Sequence, residues 1–127
     1  MKRGEFGRDL HDKIIYAQAE WRGLGMTDDQ ILWTLALVDH ESAGTWSPTV
    51  LGDNGCSKGI GQWNSCPGSG RHAAETFELQ VAQIGTEMLA KYQLFSIRTA
   101  VGKHNAPAWD SNTGYTARVE AATLNFY

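Results

Sequence analysis

The stretch from Ile31 to Asn64 constrains this chain most. It opens with the apolar run ILWTLALVDH, ends that run in Glu41-Ser42, and passes through TWSPTVL into the glycine-studded GDNGCSKGIGQWN. Ile31, Leu32, Leu35, Ala36, Val38 and Asp39 cover most of a helix circumference, largely with apolar groups, as a central buried helix requires. Thr27-Asp28-Asp29-Gln30 supplies its start: a capping box between Thr27 and Gln30, with acidic residues in the first turn. From Gly44 to Gly70 a helix is excluded by repeated glycines, Pro48, Pro67 and scattered Asn and Ser, which is turn chemistry. Glu41 therefore sits where a buried helix meets a loop. The helix macrodipole disfavours a carboxylate at that end, so simple solvation is a poor reason for its presence. Leu37, Val38 and nearby tryptophans would desolvate it, raise its pKa and leave it protonated near neutrality, as a general acid needs.

The rest of the chain reads as helices around that element. Leu10, Ile14, Ala17 and Trp21 recur at helical spacing over residues 8–22, and Gly23 and Gly25 end the run. Residues 73–93 return to the same period through Phe77, Val81, Ile84, Met88 and Tyr92. A shorter helix is predicted over 95–103, a loop over 104–114, and a last helix marked by Tyr115, Val119, Ala122 and Phe126. Short hairpin strands are predicted around Thr49-Val50-Leu51 and Ile60–Trp63. The expectation is one mainly α-helical domain over residues 1–127 with a small loop and hairpin region. Residues 1–6 read either as a disordered or appended end or as the edge of a longer chain.

Composition narrows the function. Among the 127 residues 42% are hydrophobic and 20% charged, an ordinary globular balance. A formal charge of −3 offers no basic footprint, which argues against nucleic acid as a partner and gives no help towards an anionic cell wall. No apolar run approaches the roughly 20 residues of a membrane span, and MKRGEFGRDL lacks the apolar core of a signal peptide. Cys56 and Cys66 flank the Gly59–Gln62 run. Bridged, they would close a loop of about eleven residues, stabilise by roughly 3 kcal/mol at best, and imply an oxidising compartment; left free, they are two ordinary thiols. With His40, His72 and His104 they show no metal-ligand spacing, so no zinc site is expected. Trp21 and Trp33 fall on helix stripes and are expected in the core. Trp46, Trp63 and Trp109 fall in loops, where flat aromatic faces can stack on sugar rings.

Glu41-Ser42 followed by Gly59-Ile60-Gly61-Gln62 resembles the Glu-Ser … Gly-Leu-x-Gln signature of soluble lytic transglycosylase domains of the lysozyme-like superfamily. Trp46 and Pro48 stand where that family has an aromatic and a proline, displaced by two residues. Gly52-Asp53-x-Gly55 is similar to the Gly-Asp-x-Gly run of goose-type lysozymes. His104-Asn105-Ala106 resembles the transglycosylase Tyr-Asn-Ala-Gly turn, with His104 for the tyrosine and Pro107 for the glycine. Tyr115 and Val119 match a Tyr-x-x-x-Val whose tyrosine orients the catalytic glutamate.

The resemblance implies a lysozyme-like fold and cleavage of the β-1,4 bond between N-acetylmuramic acid and N-acetylglucosamine in peptidoglycan. It makes Glu41 the acid and Asp53 the residue that helps place a water. Ser42, Ile60, Gln62, Trp63, His104, Asn105 and Tyr115 become expected substrate-site residues. No metal or organic cofactor is implied. In transglycosylases the sugar's own C6 hydroxyl replaces the water and gives a 1,6-anhydro product. Hydrolysis is slightly favoured by Asp53, although an Asp-Asn-Gly turn is common for structural reasons alone. A silent glycan-binding module of a phage tail or secretion apparatus is the reading from another class, and the retained Glu41 argues against it. The expected location is extracellular, periplasmic or virion-associated.

Overall fold

The structure is a computed structural model that describes residues 9–67, 70–106 and 113–126. It is mainly helical. Five helices run α1 Leu10–Leu24, α2 Asp28–Glu41, α3 Phe77–Leu94, α4 Ile97–Asn105 and α5 Thr113–Ala122, and a 3-10 turn at Thr123–Phe126 closes the last. Three two-residue strands, β1 Leu51–Gly52, β2 Ser57–Lys58 and β3 Trp63–Asn64, form one antiparallel sheet in the order β1-β2-β3. Leu51 pairs with Lys58, and Lys58 in turn with Trp63.

The first four helices begin for a local reason. The Asp9 carboxylate caps α1 by accepting from the Asp12 N–H, and Gly25 ends it in the left-handed region at φ 103°. The capping box on α2 forms as expected: the Gln30 N–H donates to Thr27 Oγ1 at 3.2 Å, and the Thr27 N–H donates to Gln30 Oε1 at 2.9 Å. Thr76 and Ser96 cap α3 and α4 in the same manner.

Helix α2 lies at the centre, in contact with α1, α3, α4 and α5. Leu35, Ala36, Leu37 and Val38 are fully or almost fully buried. Burying the two leucines and the valine contributes roughly 1.5–3 kcal/mol each. Polar groups key the surrounding helices. Trp21 Nε1 donates to the Val81 carbonyl at 2.9 Å, pinning α1 to α3. Gly85 makes that approach possible, since a Cβ there would stand 2.6 Å from the Trp21 ring. Thr34 and Tyr92 share a 2.8 Å hydrogen bond between α2 and α3.

Several boundaries differ from the sequence reading. Helix α3 starts at Phe77 rather than at 73, because Thr76, in an extended conformation, caps it and the residues before it are irregular. His104 and Asn105 belong to the last turn of α4 and not to a loop. The hairpin region holds three strands, one more than predicted, because Ser57-Lys58 carries no apolar alternation to signal it.

Candidate active site

The site forms where α2 runs out. The Ser42 N–H still reaches the Val38 carbonyl, but Ala43 (φ 53°) and Gly44 (φ 76°) turn the chain left-handed, and the Gly44 N–H closes on the Asp39 carbonyl at 2.8 Å. Ser42 Oγ accepts from the Trp46 N–H at 3.0 Å and fixes the exit path. Glu41 is thereby left in the last helical turn, its side chain only 14% exposed, at the floor of a cleft of about 290 Å³.

The sheet forms another wall. After β1 the chain makes a 3-10 turn at Asp53–Gly55, with Asp53 and Asn54 both at positive φ. Asp53 Oδ2 accepts from Ser57 Oγ at 2.7 Å, which holds the carboxylate against β2. Gln62, at φ 49°, donates from Nε2 to the Val50 and Gly59 carbonyls at 3.1 and 2.9 Å. Left-handed backbone at non-glycine residues is costly, and it gathers at functional sites. Here Asp53 and Gln62 both carry it, and both line the cleft. Gly59 (φ 88°) lets Gln80 reach into the loop, where Gln80 Oε1 accepts from the Ile60 N–H at 3.0 Å.

Two residues from the C-terminal helices complete the floor. The Tyr115 hydroxyl, from α5, donates to Glu41 Oε1. His104, from α4, stands with Nε2 2.8 Å from the Gly61 carbonyl and 3.9 Å from Glu41 Oε1. A carbonyl only accepts, so that nitrogen carries the hydrogen. Burial pushes His104 down to about 3, so the ring is neutral and its approach to Glu41 is not an ion pair. Among the described residues its Nδ1 has no partner.

Burial raises the Glu41 carboxyl to about 7, and the charge of Asp53 pushes the same way; the Tyr115 hydroxyl and the Arg71 guanidinium oppose them. At neutral pH a sizeable fraction of this carboxyl is protonated, the state from which a proton can be given away. Tyr115 is raised well above its ordinary value, by burial first and by its carboxylate neighbour next, so it stays a donor. Glu41, Asp53, Gln62, His104, Asn105 and Tyr115 all line this one cleft.

Three other expected residues face inward. Ser42 is fully buried with its hydroxyl committed to the chain exit. Ile60 is fully buried and its N–H is taken by Gln80. Trp63 is 1% exposed, and its Nε1 donates to both carboxylate oxygens of Glu87 at 3.1 Å. These three support the walls from behind and do not present a surface to a ligand. Trp46 is corrected likewise: it is fully buried, with Nε1 on Asp39 Oδ1 at 3.1 Å. Loop position failed as a guide because both loops fold over the core. Trp21 is buried as expected, Trp33 is partly buried beneath Arg98, and Trp109 and Pro107 lie outside the described residues.

Sequence reading missed His40, Arg71 and Arg118, which also line the cleft. Arg71 donates from Nη1 to the His104 carbonyl at 3.3 Å and places Nη2 3.9 Å from Glu87 Oε1. Arg118 lies one helical turn after Tyr115, a spacing that puts the two on one face of α5. That spacing was the available signal for Arg118. Arg71 had none, since its position rests on the Asn64 and His104 carbonyls, which no local pattern around Arg71 announces.

Cys56 and Cys66 are bridged, with Cα atoms 5.1 Å apart. Around the bridge the Cys66 N–H donates to Asn64 Oδ1 and the Arg71 N–H to the Asn64 carbonyl, both at 3.0 Å. The disulfide ties Cys66 to the residue that precedes β2, and the Arg71 N–H bond ties Arg71 to the end of β3. Among the described residues no group of His, Cys, Asp and Glu is arranged to hold a metal ion, and no helix is long and apolar enough to cross a membrane. No protein-family model, curated protein or solved structure matches the chain.

Proposed function

We propose that this domain is a lysozyme-like muramidase that cleaves the β-1,4 bond between N-acetylmuramic acid and N-acetylglucosamine in peptidoglycan. One observation carries the reading. A single carboxyl group, buried at the floor of a polar cleft and raised to about 7, is held in place by a tyrosine hydroxyl from a distant helix. A general acid needs a proton, a fixed direction and access to the leaving oxygen. Glu41 has the first from burial, the second from Tyr115 and the third from the cleft.

In the proposed reaction the Glu41 carboxyl gives its proton to the glycosidic oxygen as the bond from that oxygen to C1 breaks. The electron pair leaves with the oxygen, and C1 becomes oxocarbenium-like. Water then adds to C1 and its surplus proton passes to Asp53, which gives a reducing sugar. Asp53 supports this hydrolytic form, because it lines the same cleft with one oxygen held by Ser57. Capture by the sugar's own C6 hydroxyl is the transglycosylase alternative, and needs no second carboxylate.

The test is the mass of the soluble fragments released from purified peptidoglycan. Hydrolysis gives fragments that borohydride reduces, at a rate cut strongly by Asp53→Asn. Fragments lighter by one water, inert to borohydride and formed equally well by Asp53→Asn, would replace hydrolysis by transglycosylation. No fragments from any peptidoglycan tried would remove the enzymatic reading.

A further inference from the structure

Four arginines lie within the described residues, and three have a carboxylate near. Arg22 pairs with Asp28, Arg98 with Glu120, and Arg71 stands 3.9 Å from Glu87. Arg118 alone among them lines the cleft with no ion-pair partner among the described residues. Its side chain is exposed to the cleft solvent, and its charge is felt on His40 and on Tyr115, which brackets it beside the Glu41 wall.

Its surroundings do not use that charge. The nearest acidic residue in sequence, Glu120, is taken by Arg98, and Asp53 is held by Ser57. Glu41 is bonded to Tyr115 and is largely protonated below about pH 7. With Glu41 neutral, the cleft walls carry two guanidiniums, Arg71 and Arg118, against the one carboxylate of Asp53. Glu87 offsets Arg71 from behind the wall, which leaves the guanidinium of Arg118 as the positive charge open to a ligand in a chain whose overall charge is −3. Concave, low-dielectric walls of one sign concentrate ligands of the other. A guanidinium is the side chain best suited to a compact planar anion, which it can grip with two N–H groups at once.

We propose that Arg118 is a specificity-determining residue that receives a carboxylate of the substrate beside the bond being cleaved, with Arg71 reinforcing the field. The proposal rests on the muramidase reading and narrows it. Cleavage is directed to acidic glycan and away from neutral poly-N-acetylglucosamine, although both have the same backbone. In peptidoglycan two groups offer that chemistry: the lactyl carboxylate of a peptide-free N-acetylmuramic acid, and the carboxylates of a peptide stem.

The experiment measures binding in the Glu41→Gln background, so that no ligand is consumed. The ligands are chitotetraose, the alternating peptide-free tetrasaccharide with free lactyl carboxylates, its lactyl-amide derivative, and the same tetrasaccharide bearing peptide stems. A charge-assisted bidentate contact is expected to favour carboxylate ligands by roughly tenfold or more over chitotetraose. Adding Arg118→Gln should collapse that ratio to within about twofold, and adding Arg118→Lys should restore part of it. A preference for the peptide-free acid that its amide loses identifies the lactyl group; a preference seen only with stems identifies the peptide. A ratio unchanged by Arg118→Gln overturns the proposal, as does an equal loss for neutral and acidic ligands. If wild type cuts peptidoglycan while that ratio stays unchanged, only this inference falls. If wild type cuts none of these glycans and none binds, the muramidase reading falls with it.

Discussion

Tyr115 donates its hydroxyl to Oε1 of Glu41 across 74 residues of chain, joining the C-terminal helix to the end of the central one. The bond has two effects that pull apart. It fixes the direction of the carboxyl group, and by favouring the ionised form it holds the pKa below where burial alone would set it.

Tyr115→Phe separates those effects. The ring still fills its buried place, but the donor is gone, so Glu41 holds its proton to higher pH. The alkaline limb of the pH–lysis profile should move up from about 7, while the maximal rate falls through loss of orientation. A limb that stays put or moves down would mean that the hydroxyl does not act on Glu41.

The same burial makes Glu41 a cost to stability in alkali. Its folded pKa, about 7, lies above the usual 4.5, so the unfolded chain gives up this proton more readily. Stability is thus lost as pH rises from about 4.5 through 7. At about 1.4 kcal/mol per pKa unit, the loss is on the order of 3 kcal/mol above pH 8. Glu41→Gln should therefore melt higher than wild type at pH 8.5, and the gap should close near pH 4.5. His104 acts in the opposite sense: its folded value of about 3 lies below 6.5, so its contribution is lost as pH falls below 6.5. Thermal melts from pH 4 to 9 check both signs. A Glu41→Gln advantage that grows towards acid would contradict the assignment.

How much of this was legible beforehand varies from element to element. Thr27 and Gln30 announced the start of α2 because a capping box is a local device, the turn chemistry from Gly44 announced its end, and Glu41 stood out because a carboxylate is a poor residue there. Asp53 and Gln62 were named through the resemblance of Gly52-Asp53-x-Gly55 and Gly59–Gln62 to lysozyme-like motifs. Trp46 and Trp63 were misread because a loop residue's exposure depends on what the loop folds over. Their indole N–H groups end on Asp39, back in α2, and on Glu87, ahead in α3. Arg71 was missed for the same reason: its place rests on contacts outside its own stretch, its N–H on the Asn64 carbonyl and its side chain on the His104 carbonyl.

The bridge carries a prediction of its own. Reducing Cys56–Cys66 removes a constraint worth roughly 3 kcal/mol at best and should lower the melting temperature by several degrees. Because Arg71 lowers the pKa of Glu41, loosening its segment should also shift the alkaline limb of the activity profile upward. Melting and pH–rate curves with and without reductant read both effects. Two thiols alkylated in the unreduced native protein would contradict the bridge.

The central claim is that Glu41 delivers the proton. The most direct measurement is the rate of turbidity loss of a peptidoglycan suspension at pH 6, compared between wild type and Glu41→Gln. Glutamine keeps the shape and can still accept from Tyr115, but has no proton to give. General acid catalysis is worth typically 10²–10⁴-fold, so the variant should lose at least about a hundredfold in rate while keeping its helical circular dichroism. A Glu41→Gln protein that clears the suspension at a rate near that of wild type would show that the proton comes from elsewhere.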